Sequence, residues 1–443
     1  MKLLKSIYLT GNFYVWLGGL IVFFIISQFI PLLYGPALFA GGLLTIAALA
    51  DFVLLYYMKN GIEAERQLPE RMSNGDFNDI HIQASSNYDM KIHIEIIDEL
   101  PVQFQKRDFG LNASLDANSS KQLKYQLRPV RRGEYTFGAM NLFAETFLHL
   151  FKRRYIFSKD EDVKVYPSFI QLKKYEQLVF ANQFYRHGLK RIRKLGHTME
   201  FEHVAKYTRG DDYRTINWKA SARRNELMVN KYQDETQQFV ISAIDTGRQM
   251  KMPFNGMTLL DHAINSSLAL SNIILHKKDK AGLITFSNNI QNVVYPNNKN
   301  DQLRGIMEAL YRQETDFAET DFAFLNMFLR RKVSKRSLVL LFTNFESFQG
   351  MMRNIESFRL IARHHLLVVV FFENTELSDL ISSDAESTSD IYQKVVAEKL
   401  SAEKRRIISE LEKFNIHSIY TPPEELSTSV INRYLEIKAR RLI

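Results

Sequence analysis

The side chains best placed to do chemistry cluster in Phe201–Arg223, which holds Glu202, His203, Asp211, Asp212, Arg214, Trp218, Ser221 and Arg223. Ser221 offers a hydroxyl and the aspartates offer acids, but a serine nucleophile needs a base within hydrogen-bond reach. The one histidine in the stretch, His203, lies far upstream. The spacing argues against catalysis, and no catalytic residue is assigned. The stretch reads instead as a turn at Gly210, an acidic start at Asp211 and Asp212, and a short helix. Aspartate at a helix start satisfies free N–H groups and complements the helix dipole. Ile216 and Ala220 lie one turn apart and give the helix an inward face, while Trp218 projects from another. Arg214 and Arg223 are positioned to pair with Asp211 or Asp212. Two roles stay open: a brace locking the linker to the domain that follows, or a docking surface with Trp218 and the arginines as anchors, residue types favoured at interface hot spots.

A second cluster, Arg186–Lys194, packs five basic residues and His187 into nine positions. Its interleaved side chains are aliphatic, so base stacking has no support and nucleic acid is not the favoured partner. A solvated loop face is the simplest reading, and contact with an anionic membrane surface is the other. The chain as a whole carries a formal charge of +9, with a pI near 9.3, which favours a negatively charged neighbour. It has no cysteine, which excludes disulfides, zinc–thiolate sites and thiol catalysis. At 46% hydrophobic and 24% charged residues over 443 positions, it is globular and long enough for two or three domains.

The elements that must position these groups begin with a run free of Lys, Arg, Asp and Glu from Ser6 to Ala50. One membrane helix needs about 20 apolar residues, so the run fits two helices with a turn at Pro31, Gly35 and Pro36. The spans fall near Tyr8–Ile30 and Ala37–Met58, within a hairpin over residues 1–60. Ala48-Leu49-Ala50 resembles a signal-cleavage site, but the run far exceeds a signal core of roughly 7–15 residues. Lys2 and Lys5 before the first span, and Lys59 and Arg66 after the second, place both termini and the soluble parts in the cytoplasm. Asp51 lies within the second span, close enough to its end to reach headgroup water.

Residues 61–170 read as a small antiparallel β-sandwich, from alternating strands at Ile80–Ala84, Met90–Ile96, Lys124–Leu127 and Val163–Tyr166. Residues 171–235 form a linker carrying the Phe201–Arg223 motif. Residues 236–443 alternate strand and helix, with continuous apolar runs at Phe239–Ile244, Ala281–Phe286, Leu338–Phe342 and Leu366–Phe372 and a short strand His417–Tyr420. Such runs suit strands buried on both faces of a parallel, doubly wound α/β sheet. Ligands of such sheets bind beyond the carboxyl ends of the strands.

Two resemblances attach to these segments. The loop Asp245–Gln249 resembles the first loop of the metal-ion-dependent adhesion site of von Willebrand factor A domains, Asp-x-Ser-x-Ser. That resemblance implies a magnesium site completed by Thr320 and by the residue at Asn344. Asp245 and Thr320 match the pattern. Gly247 and Gln249 stand in place of serines, and Asn344 in place of an aspartate, so the site is degenerate. The competing expectation is that Asp245 caps a helix or braces the loops. Tyr207, Gly210, Asp211, Asp212, Arg214, Ile216, Trp218, Ser221, Ala222 and Arg223 together resemble the signature of a bacterial family, domain of unknown function fifty-eight. Arg131–Tyr135 and Val165–Pro167 resemble its sandwich landmarks, and membrane spans followed by a von Willebrand factor A-like domain are its usual layout. The resemblance implies a bacterial inner-membrane protein working with a MoxR-type AAA+ ATPase and other von Willebrand factor A proteins. The expectation is a membrane-anchored, non-catalytic scaffold, with a metal-dependent binding protein or enzyme as the alternative.

Overall fold

The computed structural model describes residues 6–106, 109–185, 199–208, 211–234, 237–383 and 387–442. The basic stretch Arg186–Lys194 and Gly210 lie outside the described residues. The chain divides into two units, Met1–Ser168 and Phe169–Ile443.

In the first unit, helices Gly11–Phe29 and Tyr34–Tyr56 are joined by the tight turn Pro31–Leu33. Gly11–Phe29 and Pro31–Tyr56, the latter taking in the turn, are long and apolar enough to cross a membrane, with mean hydropathy of 1.7 and 2.2. Val15, Trp16, Phe29, Leu32 and Phe39 stand exposed, an apolar surface that supports membrane association. The first helix begins later than Tyr8. Ile7–Leu9 is a strand, paired antiparallel with Phe151–Phe157, and Thr10 caps the helix by accepting from Phe13 N at 3.3 Å.

Asp51 corrects the expectation of a carboxylate reaching for headgroup water. It is fully buried, and it accepts from the Thr146 hydroxyl and from the backbone N–H groups of Leu150 and Phe151 at 3.0 and 2.9 Å. The helix end is held just as closely. Arg153 donates to the carbonyls of Leu55, Met58 and Lys59, and the Tyr88 hydroxyl donates to Leu55 O. Leu55 O is a carbonyl that the end of the helix leaves unpaired, and those of Met58 and Lys59 belong to the turn that follows.

The strands of this unit form antiparallel sheets around one core, apart from a short parallel pairing of Arg71–Ser73 with Glu161–Tyr166. Asn78–Ser86 alternates buried and outward positions along its length, which is why its sequence pattern was legible. Ile80, Ile82, Ile94, Ile96, Leu142 and Val165 meet in that core. Arg66, counted from sequence among the basic residues that follow the second span, is buried. It pairs with Asp98 at 2.5 Å and Glu161 at 3.0 Å, and Tyr125 donates to the other oxygen of Asp98. Burying an arginine requires such partners, so its charge is already neutralised.

The second unit opens with helix Ile170–Tyr185 and an antiparallel hairpin, Met199–Lys206 with Met228–Asp234. A six-stranded sheet follows. Phe239–Asp245 lies in its interior, with Lys280–Phe286 and then Ile290–Asn297 on one side. Leu338–Phe342, Leu366–Phe372 and His417–Thr421 follow in turn on the other. All pairings are parallel except that of the edge strand Ile290–Asn297. Alternate residues of each strand serve opposite faces. Val240, Leu340 and Val368 pack with helices Leu259–His276 and Leu426–Arg440. Ile241, Leu341 and Val369 pack with Phe322–Lys332, Phe348–His364 and Thr388–Lys413. Burial on both faces explains the unbroken apolar runs.

Asp51→Ala leaves one hydroxyl and two N–H groups buried without their acceptor. We expect a loss of about 3 kcal/mol in the stability of the first unit, read by thermal unfolding of the full chain in detergent. An unchanged melting curve would mean that the carboxylate does not hold the helix to the sheet.

Candidate functional site

The strand order reverses between the parallel neighbours Phe239–Asp245 and Leu338–Phe342, and at such a switch point the carboxyl ends of neighbouring strands leave a crevice. Asp245 ends the first of these strands and is buried in that crevice. Its Oδ1 accepts from Gly247 N at 2.8 Å and the Thr320 hydroxyl at 2.6 Å, and its Oδ2 accepts from the Thr343 hydroxyl at 2.7 Å. Burial pushes its carboxyl up from the usual range, against those three hydrogen bonds. Asp321 caps the helix Phe322–Lys332 through Ala323 N and Phe324 N, and thereby seats Thr320.

Three of the four expected cation ligands share one cleft, and Asn344 lies outside it. Asp245, Gln249 and Thr320 line a polar cleft of about 160 Å³, together with Arg248 and Arg353. Asn344 lines a different, largely apolar cleft of about 220 Å³. Its Oδ1 accepts from Phe345 N at 3.0 Å and faces Lys404 Nζ at 3.4 Å. Magnesium prefers several oxygen ligands in octahedral array. Here both Asp245 oxygens are already engaged by protein donors, and Arg248 and Arg353 border the cleft along with Glu319 and Glu346, so Asp245 is satisfied without an ion. Gly247 shows why the loops close this way. A Cβ there would stand 2.2 Å from Thr320 Oγ1, so only glycine lets that hydroxyl reach Asp245. The loop-bracing alternative describes the observed bonds.

Thr343, Arg248, Arg353 and Lys404 were not singled out from sequence. Thr343 was visible beside Asn344, whereas nothing local marked Lys404, which reaches the crevice from helix Thr388–Lys413. Lys404 donates to the carbonyl of Phe345, and burial pushes its amine down to about 8 despite the nearby Glu346 and Glu403.

The second candidate site is the connection across the Met199–Lys206 and Met228–Asp234 hairpin. The helix start differs from expectation: Asp212 caps the short turn Tyr213–Thr215, and Asn217 caps the helix Trp218–Arg224 through Ala220 N at 3.0 Å. Asp211 accepts from the N–H and the hydroxyl of Thr208 at 2.9 and 2.8 Å. Ser221 is buried, donating to Asn217 O and accepting from Met228 N, both at 2.8 Å, so its hydroxyl is structural. Ile216 bridges to Val229, and Asn217 Nδ2 donates to Asn230 Oδ1. Tyr213 and Trp218 are 69% and 70% exposed, and Arg214 and Arg223 are exposed as well. Arg214 lies over the Tyr213 ring at 5.7 Å.

Together these features define a chain with two apolar N-terminal helices, an antiparallel β unit and a mostly parallel α/β sheet. Residues 203–388 match the family model described as "Protein of unknown function DUF58", in keeping with the signature read around Trp218. The "Uncharacterized protein YeaD" of Bacillus subtilis (strain 168) is 24% identical over 223 residues, 49% of this chain and 52% of its own length. The chain thus spans about half the length of that curated relative. Among solved structures, the chain is similar in part to proximal thread matrix protein 1 of the mussel byssus with a zinc-occupied MIDAS motif. That similarity has 12% identity and a TM-score of 0.27, covering 44% of this chain and 46% of that one. The CARDB domain of PF1109 from Pyrococcus furiosus is similar over 24% of this chain and 86% of its own, at 12% identity and a TM-score of 0.17.

Two outcomes follow from this geometry. Gly247→Ser restores a hydroxyl of the adhesion-site pattern but must displace Thr320. It should cost about 1–3 kcal/mol and yield no magnesium heat in titration calorimetry. A magnesium signal in the parent chain, lost in Asp245→Ala, would instead favour the cation-dependent alternative. For Lys404, a folded-state pKa of about 8 lies below the unfolded value of roughly 10.4, so holding its proton costs stability below pH 8. The cost fades as pH rises toward about 10. The stability of Lys404→Met relative to the parent should therefore be most favourable near pH 7 and decline by about 1 kcal/mol or more by pH 9.5, followed by denaturant unfolding. A difference that does not change with pH would refute the assignment.

Proposed function

We propose that the chain is a membrane-anchored, non-catalytic scaffold or adaptor. Its helical pair anchors it in the bacterial inner membrane, with both termini and the soluble units in the cytoplasm. Its α/β unit, of von Willebrand factor A-like type, recruits cytoplasmic partners. The resemblance around Trp218 points to a MoxR-type AAA+ ATPase system, together with other von Willebrand factor A proteins. The observation that carries the docking role is how the motif spends its residues. Asp211, Asp212, Asn217 and Ser221 are consumed in internal hydrogen bonds, while Tyr213, Arg214, Trp218 and Arg223 are left outward. A brace would bury its largest side chains. Exposed Trp, Tyr and Arg on a rigid base suit an interface hot spot.

The test is affinity purification of the tagged chain from detergent-solubilised native membranes, with and without ATP, read by mass spectrometry. Recovery of an AAA+ ATPase with the parent chain, and its loss with Trp218→Ala/Arg223→Ala, is the expected outcome. Equal recovery with the variant would move the docking site elsewhere. Absence of any ATPase under both conditions would remove the ATPase from the reading.

A further inference from the structure

We infer that the surface around Trp218 takes an acidic protein partner, one that presents carboxylates around an apolar pocket for the indole. The inference rests on the docking role proposed above and names the chemistry of what docks.

The charge distribution over residues 206–227 carries it. Each carboxylate there already has work to do. Glu226 pairs with Lys206 at 3.0 Å, Asp211 braces Thr208, and Asp212 caps the turn through Arg214 N at 3.0 Å. The cations differ. Lys219, Arg223 and Arg224 are exposed, and none has an ion-pair partner among the described residues. Among the described residues, the Arg214 side chain meets the Tyr213 ring and hydroxyl. Four exposed cations thus fall within one short connection that also carries Trp218, 70% exposed, and Leu227, 47% exposed. Leaving like charges so close costs free energy in the free protein, and an acidic surface turns that cost into attraction.

The platform is also pre-organised. Asn225, in the left-handed region at φ 54°, ends the helix, and Ser221, Asn217 and Asn230 pin the helix to the hairpin. A partner meeting it finds the backbone already held, which lowers the cost of binding. Nucleic acid fits less well, because single-strand binders need a run of stacking aromatics, and Tyr213 is already covered by Arg214. A membrane fits less well too, since interfacial binding relies on an extended apolar face rather than one indole and one leucine.

The chain has two tryptophans, so Trp16→Phe leaves Trp218 as the only indole and makes its emission a local reporter. The full chain in detergent micelles is titrated with four probes: a synthetic peptide alternating glutamate and leucine, its lysine–leucine counterpart, phosphatidylglycerol vesicles and oligo(dT). A saturable blue shift and protection from acrylamide with the glutamate peptide alone is expected. That affinity should weaken about tenfold in Arg223→Glu/Arg224→Glu, and likewise in Lys219→Glu/Arg223→Glu should the first variant fold poorly. Binding of the lysine peptide with equal affinity, no response to the glutamate peptide, or a response to vesicles or oligo(dT) alone would overturn the inference. The charge-reversal variants also go through the membrane purification. Partner loss with Trp218→Ala but full retention with charge reversal would keep the docking role and discard its acidic complement. Retention with both would discard the docking role itself.

Discussion

A carboxylate taken out of water must have its lone pairs filled, and this chain uses that requirement to fasten segments far apart in sequence. Asp51 ties a membrane-type helix to the turn at residues 146–151. Asp98 gathers Arg66 and Tyr125 from other strands. Asp245 joins the loops bearing Thr320 and Thr343. Asp279 accepts from Gln238 N at the start of the sheet, and from Tyr434 and Lys438 of the last helix. Losing any one of these acids would strand several buried donors at once. That asymmetry makes such acids strong determinants of which segments meet.

The same rule explains why Asp245 looks like a metal ligand and is not placed as one. A cation and a set of hydroxyl and amide donors are alternative ways to satisfy the same buried oxygens. Glycine at position 247 tips the balance by letting the threonine approach directly. The cleft beyond is bordered by Arg248 and Arg353 together with Glu319 and Glu346.

Much of this was legible in the sequence where burial is simple. The runs Phe239–Ile244, Leu338–Phe342 and Leu366–Phe372 are apolar on both faces and were placed to within a residue or so. The edge strand Ile290–Asn297 was missed, because half-exposed positions admit Gln291, Asn292 and Asn297 and blur the pattern. Helix Ile170–Tyr185 also escaped, since Lys173, Lys174 and Gln177 interrupt its apolar side. At the site, Asp245 and Thr320 were found by spacing. The choice of Asn344 over Thr343 failed because adjacent residues leaving a strand point opposite ways, so one position decides which cleft a side chain enters. Arg66 was read as a membrane-side cation because its partner Asp98 is 32 positions away, and only the folded sheets bring the two together.

The joint between the helical pair and the β unit has a mechanical consequence. The first helix is continuous with a strand of the sheet, and the second is gripped by Asp51 and by the carbonyls that Arg153 holds. Neither helix ends in a slack tether. A pull or twist applied to the β unit therefore passes to both helices together, through hydrogen bonds loaded in parallel. Helices held in this way move with the β unit as a single body.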